Sequence, residues 1–324
     1  MPTYDNVRLI NNILNQYYVE KMTQSEIAER MDLSTPKVNR LLQQARELGY
    51  VSFVIRTPFQ HLFDLEARLK AVFRLKEAMV IPAVGNSSSS LLNAVGTVGA
   101  EFLLDQIRDG DVLAITPGTT VQAVVQSIDA PRSYQIEIAP MLGATQGEFE
   151  SDMNFLAMNM GERLGAKAYQ LHAPAFVDTR EQGDVVRSMA PVKEILDIAR
   201  KADIALLGVG TVDPDASRFV QFTALSAEDL NQIAEGCGGV GEISAHVYDD
   251  EGRPCAKRYA DRVIGLTLDE IKNIPYRIGV AAGAAKAMPI YGALRGDYLQ
   301  ALITDEAAAR GVLDIFDENF RKVH

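Results

Sequence analysis

Hydrophobic residues in the N-terminal part of the chain recur at helical spacing in three short segments. The three sets are Val7, Ile10, Ile13, Leu14, Tyr17 and Tyr18; Ile27, Ala28 and Met31; and Val38, Leu41, Leu42 and Ala45. This pattern predicts three amphipathic helices that share one small core, closed by a strand that ends at Val54. Two short helices joined by a tight turn and followed by a strand are typical of a helix-turn-helix.

Polar residues between these segments carry the signals that start and stop helices. Thr23 with Glu26 is the pattern of a capping box, in which each side chain satisfies an amide of the other residue. Asp32-Leu33 is predicted to make the turn, and Ser34 is predicted to be the N-cap of the next helix. Gly49 is predicted to end that helix in the left-handed conformation.

The third helix leaves a polar face at its N-terminal end, the part of a recognition helix that enters the major groove. This face carries Thr35, Pro36, Lys37, Asn39 and Arg40. Arginine suits the edge of guanine and asparagine suits that of adenine, so these residues are candidates for reading bases. Gln24 and Arg46 are candidates for contacts to phosphate groups.

Charge limits how such a module would bind DNA. Residues 1–55 hold six Lys or Arg and six Asp or Glu, a net charge of 6 − 6 = 0, so the whole net charge of −11 lies in the remainder. A neutral module binds phosphate groups weakly, which favours two or more copies acting together. A helical hairpin with an ordinary solvated face has the same pattern and remains an alternative.

From Glu77 onward, short apolar runs alternate with longer helical stretches, a pattern that indicates a mainly parallel sheet covered by helices on both faces. The predicted strands are Ala78–Ile81, Val112–Ile115, Gln135–Pro140, Ala168–Ala173, Ile204–Val209, Arg262–Gly265 and Arg277–Ala281. The predicted helices are Leu91–Ile107, Thr120–Ser127, Asn154–Leu164, Val185–Ala202, Ala227–Ala234, Leu268–Asn273 and Gly283–Leu294.

An amphipathic helix over residues 60–75 is predicted between the two regions, after Thr57-Pro58 breaks the chain. It is a linker, a dimerisation seam or a helix packed on the following domain, and we favour the last. The domain prediction is therefore a DNA-binding domain over 1–56, a linker helix over 57–75 and an α/β domain over 76–324.

Composition excludes several classes of protein. The 324 residues are 47% hydrophobic and 23% charged, which is typical of a soluble globular protein. There is no apolar run long enough to cross a membrane and no signal peptide, and the two cysteines have no metal-binding spacing. We therefore expect a cytoplasmic protein with no membrane, metal or cofactor.

Parallel sheets bind ligands beyond the carboxyl ends of their strands, and four loops at such positions hold small or polar residues. Pro117-Gly118-Thr119-Thr120 is a candidate anion site at a helix N-terminus, although an ordinary strand-to-helix turn looks the same. The other three are Leu142–Gly147, which contains Gln146; Leu207–Thr211, which contains Gly208 and Gly210; and Gly279–Lys286, which ends on a lysine in a run of small residues.

Other polar groups give weaker signals. Glu242 follows a glycine and is able to bond sugar hydroxyls, whereas the acidic cluster Asp249–Glu251 is better explained as a solvated turn. The four histidines are scattered, with no serine–histidine or cysteine–histidine arrangement, so no catalytic or metal-binding residue is predicted.

With these loops in place, the chain resembles the SorC family of sugar-responsive transcription regulators over nearly its full length. The matching segments are YYVEKMTQSEIAERMDLSTPKVNRLLQQARELGYV, DGDVLAITPGTTVQAVV, LLGVGTVDP, GVGEISAHVYDDEGRPC and GVAAGAAKAMPIYGALRGDYLQALITDEAAARGVL. The resemblance implies a winged helix-turn-helix and an effector domain similar to the ribose-phosphate isomerase and glucosamine-phosphate deaminase fold, with catalysis lost. It also implies a homo-oligomer, a dimer or tetramer.

The resemblance further implies roles for individual residues. Gly118, Thr119 and Thr120 would hold a phosphate or hydroxyl group, Lys286 would neutralise its charge, and Glu242 would meet sugar hydroxyls. Gln146, Gly208 and Gly210 would line the pocket, with Gln221 a weaker candidate. Two departures from the family pattern are Pro117 and the apolar Met141-Leu142, where some members that bind phosphosugars carry a basic residue. A singly phosphorylated or uncharged effector therefore fits better than a doubly phosphorylated one.

The sequence thus predicts a regulator, not an enzyme, that binds operator DNA under the control of a small sugar, polyol or sugar phosphate. The main alternative is a sugar-phosphate isomerase or deaminase with an appended helical domain, for which Glu242 would be the general base. A third hypothesis is a small-molecule-binding scaffold whose N-terminal helices pair with a protein.

Overall fold

A computed structural model describes residues 4–51, 57–83, 87–144, 152–213, 217 and 226–323. The chain divides into two compact units, Met1–Pro58 and Phe59–His324. No helix among the described residues combines the length and the apolar character that crossing a membrane requires.

The described part of the N-terminal unit is helical. Its helices are α1 (Tyr4–Leu14), which continues into a π-helical turn at Asn15–Val19, α2 (Gln24–Arg30) and α3 (Thr35–Glu47). Their apolar faces form one core, made of Ile10, Ile13, Ile27, Ala28, Val38, Leu41, Leu42 and Ala45. The three-helix prediction is confirmed, whereas the predicted closing strand falls on residues 52–56, outside the described residues.

The predicted helix-boundary residues lie where they were expected, and all but one make the contact that their role implies. Thr23 and Glu26 form the capping box, with the Glu26 amide 3.3 Å from Thr23 Oγ1 and the Thr23 amide 2.7 Å from Glu26 Oε2. Gly49 has φ +72° and the next amide, of Tyr50, donates to the carbonyl of Ala45, so α3 ends in a Schellman motif. The exception is Ser34, which is the N-cap residue of α3 but makes no capping hydrogen bond through its side chain.

The larger unit alternates helices and strands. Its longer helices are α4 (Gln60–Phe73), α5 (Ser88–Gln106), α6 (Thr119–Ser127), α7 (Met153–Leu164), α8 (Arg180–Ser188), α9 (Ala190–Arg200), α10 (Ala227–Cys237), α11 (Lys257–Ala260), α12 (Leu268–Lys272), α13 (Ala287–Arg295) and α14 (Glu306–Val323). Its strands are β1 (Glu77–Ile81), β2 (Val112–Ile115), β3 (Glu137–Pro140), β4 (Lys167–Ala168), β5 (Ile204–Gly208), β6 (Gly210–Thr211), β7 (Gly239–Ile243), β8 (His246–Asp249), β9 (Tyr276–Val280) and β10 (Ala301–Asp305).

Seven of these strands form one parallel sheet in the order β1-β10-β9-β5-β2-β3-β4. The registers include Ile115 opposite Leu206 and Gly208 opposite Val280. A smaller antiparallel sheet, β6-β7-β8, follows β5 in the chain. The predicted fold class, a helix-turn-helix region with a parallel α/β domain, is confirmed.

Helices cover both faces of the large sheet because its strands are apolar on both sides. One core joins alternate strand residues such as Ala114 and Leu302 to α4, α9, α13 and α14. The other joins residues such as Leu113 and Ile303 to α5, α6 and α7. Leu62 and Leu69 of α4 lie buried in the first core, so this helix packs on the α/β unit, as we favoured.

Four sequence predictions of elements are wrong. Ala168–Ala173 is a strand only over Lys167–Ala168, and Arg262–Gly265 makes isolated bridges at Val263 and Gly265 but no strand. The single helix Val185–Ala202 is two helices, because Met189 is extended and Pro191 lies in the first turn of α9. The helix predicted from Gly283 begins instead as a 3-10 turn at Ala284–Lys286. β10 and α14 were not predicted.

Candidate DNA-binding surface and candidate effector site

Helix α3 separates an apolar face from a polar one. Val38, Leu41, Leu42 and Ala45 are buried, whereas the predicted base-reading residues are all exposed; these are Thr35, Pro36, Lys37, Asn39 and Arg40. The side chains of Lys37, Asn39 and Arg40 make no hydrogen bond or ion pair with any other described residue. They are therefore uncommitted donors at the N-terminal end of a rigid helix, the arrangement that reading a major groove requires.

The two predicted phosphate-contacting residues differ in their surroundings. Arg46 is exposed but its Nε donates to the hydroxyl of Tyr18 at 3.2 Å, which orients the guanidinium against α1 and its π-helical extension. Gln24, the first residue of α2, is half-buried. Both lie in the same compact unit as the exposed face of α3.

The order of strands identifies one crevice in the α/β unit. From β2 the chain moves to β3 on one side, and β5 then returns to pair with β2 on its other side. A ligand crevice is expected outside the carboxyl ends of the strands at such a switch point. Residues 116–118 follow β2 at this edge, and residues 208–210 end β5 and begin β6 there. The sheet therefore brings two of the predicted site loops together.

The β2 loop opens α6 without a side-chain cap. Gly118 has φ +136°, a conformation that side-chain-bearing residues rarely adopt, and it accepts the first helical hydrogen bond, from Gln122. Among the described residues, no side chain accepts a hydrogen bond from the first turn, where Thr119 is half-buried and Thr120 is buried. The free amides of this turn point out of the helix N-terminus and favour an anion.

The β5 loop is held against the β2 loop. The amide of Gly208 donates to Thr116 Oγ1 at 2.8 Å, and a Cβ on Gly208 would lie 3.1 Å from the carbonyl oxygen of Pro117. A Cβ on Gly210 would lie 1.8 Å from Glu242 Oε1, so the glycine lets this carboxyl group reach the backbone of β6. Gly208, Gly210 and Glu242 thus form one continuous wall.

Glu242 and Lys286 are the charged groups of this wall. Burial raises the pKa of Glu242, although a hydrogen bond from the amide of Ala245 and the charge of Lys286 act to lower it. Burial lowers the pKa of Lys286, against the opposing effect of Glu242. Lys286 makes no hydrogen bond or ion pair through its side chain within the described part of the chain, so its charge is open to a further anion.

Asp305 supports the lysine loop and was missed in the sequence. This buried residue ends β10; its Oδ2 accepts from the amide of Gly283 at 2.5 Å, and its Oδ1 accepts from the amides of Ala307 and Ala308. One carboxylate therefore fixes the 3-10 turn that carries Lys286 and caps α14. The only signal in the sequence is an aspartate before a helical stretch, which does not reveal the contact with Gly283.

Strain accumulates at the hairpin that carries Glu242. Ser244 and Ala245 join β7 to β8 with φ +51° and +66°, although neither is glycine. Two left-handed residues of this kind cost about 1 kcal/mol or more each and persist where the surroundings enforce them. The Glu242 carboxylate stabilises the turn through the amide of Ala245 at 3.0 Å.

Two predicted site residues, Gln146 and Gln221, lie outside the described residues. Met141 and Leu142, the apolar pair noted after β3, are buried, so the described start of that loop offers no cation. Among the described residues, no three His, Cys, Asp or Glu side chains cluster in a way that could hold a metal ion.

The fold and the two sites define a class of protein that joins a helix-turn-helix to an α/β domain with a charged crevice at the carboxyl edge of its sheet. Residues 57–314 match the family model described as "Putative sugar-binding domain", and residues 11–47 match region 4 of sigma-70. The chain belongs to this sugar-binding domain family, in its SorC-type group of transcription regulators.

Relatives match over nearly the whole chain. The deoxyribonucleoside regulator of Bacillus subtilis is 29% identical over 303 residues, which cover 92% of this chain and 95% of the relative. The sorbitol operon regulator of Klebsiella pneumoniae is 28% identical and covers 97% of this chain and 100% of its own. The crystal structure of full-length SorC from Klebsiella pneumoniae superposes with a TM-score of 0.74 at 27% identity, covering 95% of this chain and 99% of SorC.

Proposed function

We propose that this chain is a transcription regulator of carbohydrate catabolism that binds operator DNA and releases or holds it according to a small sugar, polyol or sugar phosphate. The observation that carries the proposal is the uncommitted polar face of α3, formed by exposed side chains of a small, well-capped helical unit. The relatives named for deoxyribonucleosides, sorbitol and erythritol support a carbohydrate as the effector.

On the DNA side, Thr35, Lys37, Asn39 and Arg40 read base edges, and Pro36 fixes the start of the helix that carries them. Gln24 and Arg46 contact phosphate groups and set the register. Because residues 1–55 carry no net charge, specific binding draws on at least two copies, so the regulator is a homo-oligomer, a dimer or tetramer.

On the effector side, the amides at Thr119 and Thr120 hold a phosphate or hydroxyl group at the N-terminus of α6. Lys286 supplies a positive charge and Glu242 accepts hydrogen bonds from sugar hydroxyls. Gly208 and Gly210 have no side chains, so the sugar can approach the backbone there. Gln146 and Gln221 complete the lining.

The distribution of charge favours an effector with one phosphate or none. Within the described part of the chain, the crevice holds one lysine, whose ammonium already faces the carboxyl group of Glu242, and one helix N-terminus without a side-chain cap. A second phosphate would require a further cation, and the start of the β3 loop offers the buried Met141 and Leu142 instead.

An enzyme is the second candidate, because a half-buried carboxyl group with a raised pKa is what a general base in sugar chemistry requires. We favour a cytoplasmic regulator without turnover, since both candidate sites belong to a family whose curated relatives are regulators. Isomerisation or deamination of pentose or amino-sugar phosphates by the purified chain would establish the alternative.

Selection of bound sequences from a random DNA pool at moderate salt tests the proposal. We expect enrichment of a site with two half-sites, since a DNA-binding unit with so little net charge needs a second copy. A panel of sugars and sugar phosphates should then change the affinity for that site. A pool with no enrichment, with or without the sugar panel, would contradict the regulator hypothesis.

A further inference from the structure

The two cysteines of the chain lie next to each other although they are far apart in sequence. Cys237 ends α10 and Cys255 follows β8, and burial together with the neighbouring Cys237 thiol raises the pKa of Cys255. Cys237 Sγ donates to the carbonyl of Ile233 at 3.2 Å. Neither thiol takes part in the crevice at the sheet edge or in the surface of α3.

Backbone hydrogen bonds hold both cysteines in place. The amide of Cys255 donates to the carbonyl of Val247 at 2.9 Å, so residues 253–255 run beside β8. Gly239 pairs with Asp249 two positions after Cys237, and a Cβ on Gly239 would lie 3.5 Å from Cys255 Sγ. Backbone pairing in β7, β8 and residues 253–255 therefore holds the two cysteines near each other.

The first thiol is accessible to a small reagent. Both cysteines are half-buried, and Cys237 lines a surface cleft of about 500 Å³ together with Gln232, Arg258 and Arg262. Cys255 is not among the residues that line this cleft.

We propose that Cys237 and Cys255 form an oxidation site, a dithiol that a hydroperoxide converts into an intramolecular disulfide. The Cys237 thiolate attacks one peroxide oxygen, the O–O bond breaks, and the leaving oxygen takes a proton to become an alcohol or water. The product is a sulfenic acid at Cys237. The sulfur of Cys255 then attacks Cys237 Sγ, the new S–S bond replaces the S–O bond, and the departing hydroxide takes the Cys255 proton as water. The two thiols lose two electrons, which reduce the peroxide.

The bridge closes residues 238–254 into a covalent loop, and this loop is the β7–β8 hairpin with Glu242 on its first strand. The disulfide thus restrains the strained turn at Ser244 and Ala245. An effect of oxidation on effector binding rests on the proposed function. Formation of the disulfide itself does not.

The experiment treats the reduced full-length chain with hydrogen peroxide under native conditions. We expect the intact mass to fall by two hydrogen atoms, both thiols to resist maleimide labelling, one cross-linked peptide to join Cys237 and Cys255, and a thiol reductant to reverse all three. Two thiols that stay reduced, a disulfide between chains, or a sulfinic acid without the bridge would each overturn the proposal.

Two variants test the order of attack. Cys255→Ser leaves no resolving thiol, so the sulfenic acid at Cys237 should persist and be trapped by dimedone. Cys237→Ser is the matched control and should give no comparable adduct at Cys255. An adduct that forms only at Cys255 would overturn the assigned roles. Either result is independent of DNA or sugar binding, so failure of this inference is distinguishable from failure of the proposed function.

Discussion

The two units place their functional groups in opposite environments. On α3, the candidate side chains are exposed and make no hydrogen bond or ion pair with other described side chains, and the helix that carries them is held by the small core beneath it. In the crevice of the α/β unit, Glu242 and Lys286 are half-buried and burial shifts their pKa values, while backbone amides supply much of the remaining polarity. The face of α3 therefore presents exposed donors to a charged polymer such as DNA, whereas the crevice of the α/β unit suits one small molecule.

Removing an exposed base-reading side chain should have the largest effect. A good pair between a side chain and a base contributes about 1–3 kcal/mol, so Arg40→Ala should cost a complex with two copies roughly 2–6 kcal/mol of binding free energy. Fluorescence anisotropy with the selected DNA site measures this.

Arg8→Ala is the matched control for Arg40, since it removes the same charge from an exposed position on α1. It should leave affinity near that of the wild type. Equal losses in the two variants would show that α3 contributes charge alone and does not read bases.

Acid should destabilise the α/β unit through its buried His246, since the helical unit contains no histidine. Burial lowers the pKa of His246 from 6.5 to about 4, so on acidification the unfolded chain takes up a proton before the folded chain does. The stabilisation is complete above pH 6.5 and declines as the pH falls to about 4, by about 3 kcal/mol for the single group. Urea unfolding as a function of pH measures it.

His246→Gln should reduce this loss of stability between pH 6.5 and 4, because glutamine does not titrate. The paired carboxylates of the chain contribute equally to both proteins and cancel in the comparison. An unchanged pH slope in the variant would show that His246 is not held in its neutral form.

Lys286→Met should weaken binding of a phosphorylated effector by about 1.5–3 kcal/mol, the usual contribution of a hydrogen bond to a charged group. DNA affinity without effector should persist. Because burial lowers the pKa of Lys286, affinity for an anion should also fall as the pH rises through that lowered value, a dependence that the variant lacks. Isothermal titration with the sugar phosphate found by screening measures the loss of affinity and its pH dependence. The control is Lys201→Met, which changes an exposed lysine after α9.

The smallest expected change in stability comes from removing a capping box, a motif that both units contain. Thr23 and Thr267 both form capping boxes, with threonine Oγ1 3.3 Å and 3.2 Å from the amide three residues later. Alanine at either site should cost about 1 kcal/mol. If the two units unfold separately, Thr23→Ala should lower only the melting temperature of the helical unit and Thr267→Ala only that of the α/β unit, as calorimetry would show. Simultaneous shifts in both variants would indicate a single cooperative transition.

Local signals explain which parts of the molecule were predictable. The capping box at Thr23 and the left-handed Gly49 depend on neighbouring residues only, and both were predicted. β10 was missed because a central strand buried on both faces lacks alternation, and its sequence runs directly into α14 with no turn residue between them.

Contacts between distant residues explain what the sequence did not reveal. The link from Asp305 to Gly283 spans 22 positions, and the approach of Gly210 to Glu242 depends on the pairing of β6 with β7. The site loops themselves were predictable since the carboxyl ends of parallel strands meet at one edge. The roles of Thr119, Thr120 and Lys286 stay predictions that binding experiments must test.

The central claim is that a small carbohydrate in the crevice controls DNA binding by the exposed face of α3. The most direct measurement is a DNA-binding titration of the wild type and Lys286→Met, each with and without the sugar phosphate found by screening. The account predicts that the sugar phosphate shifts the DNA affinity of the wild type and leaves that of the variant unchanged. An equal shift in both proteins, or none in either, would contradict it.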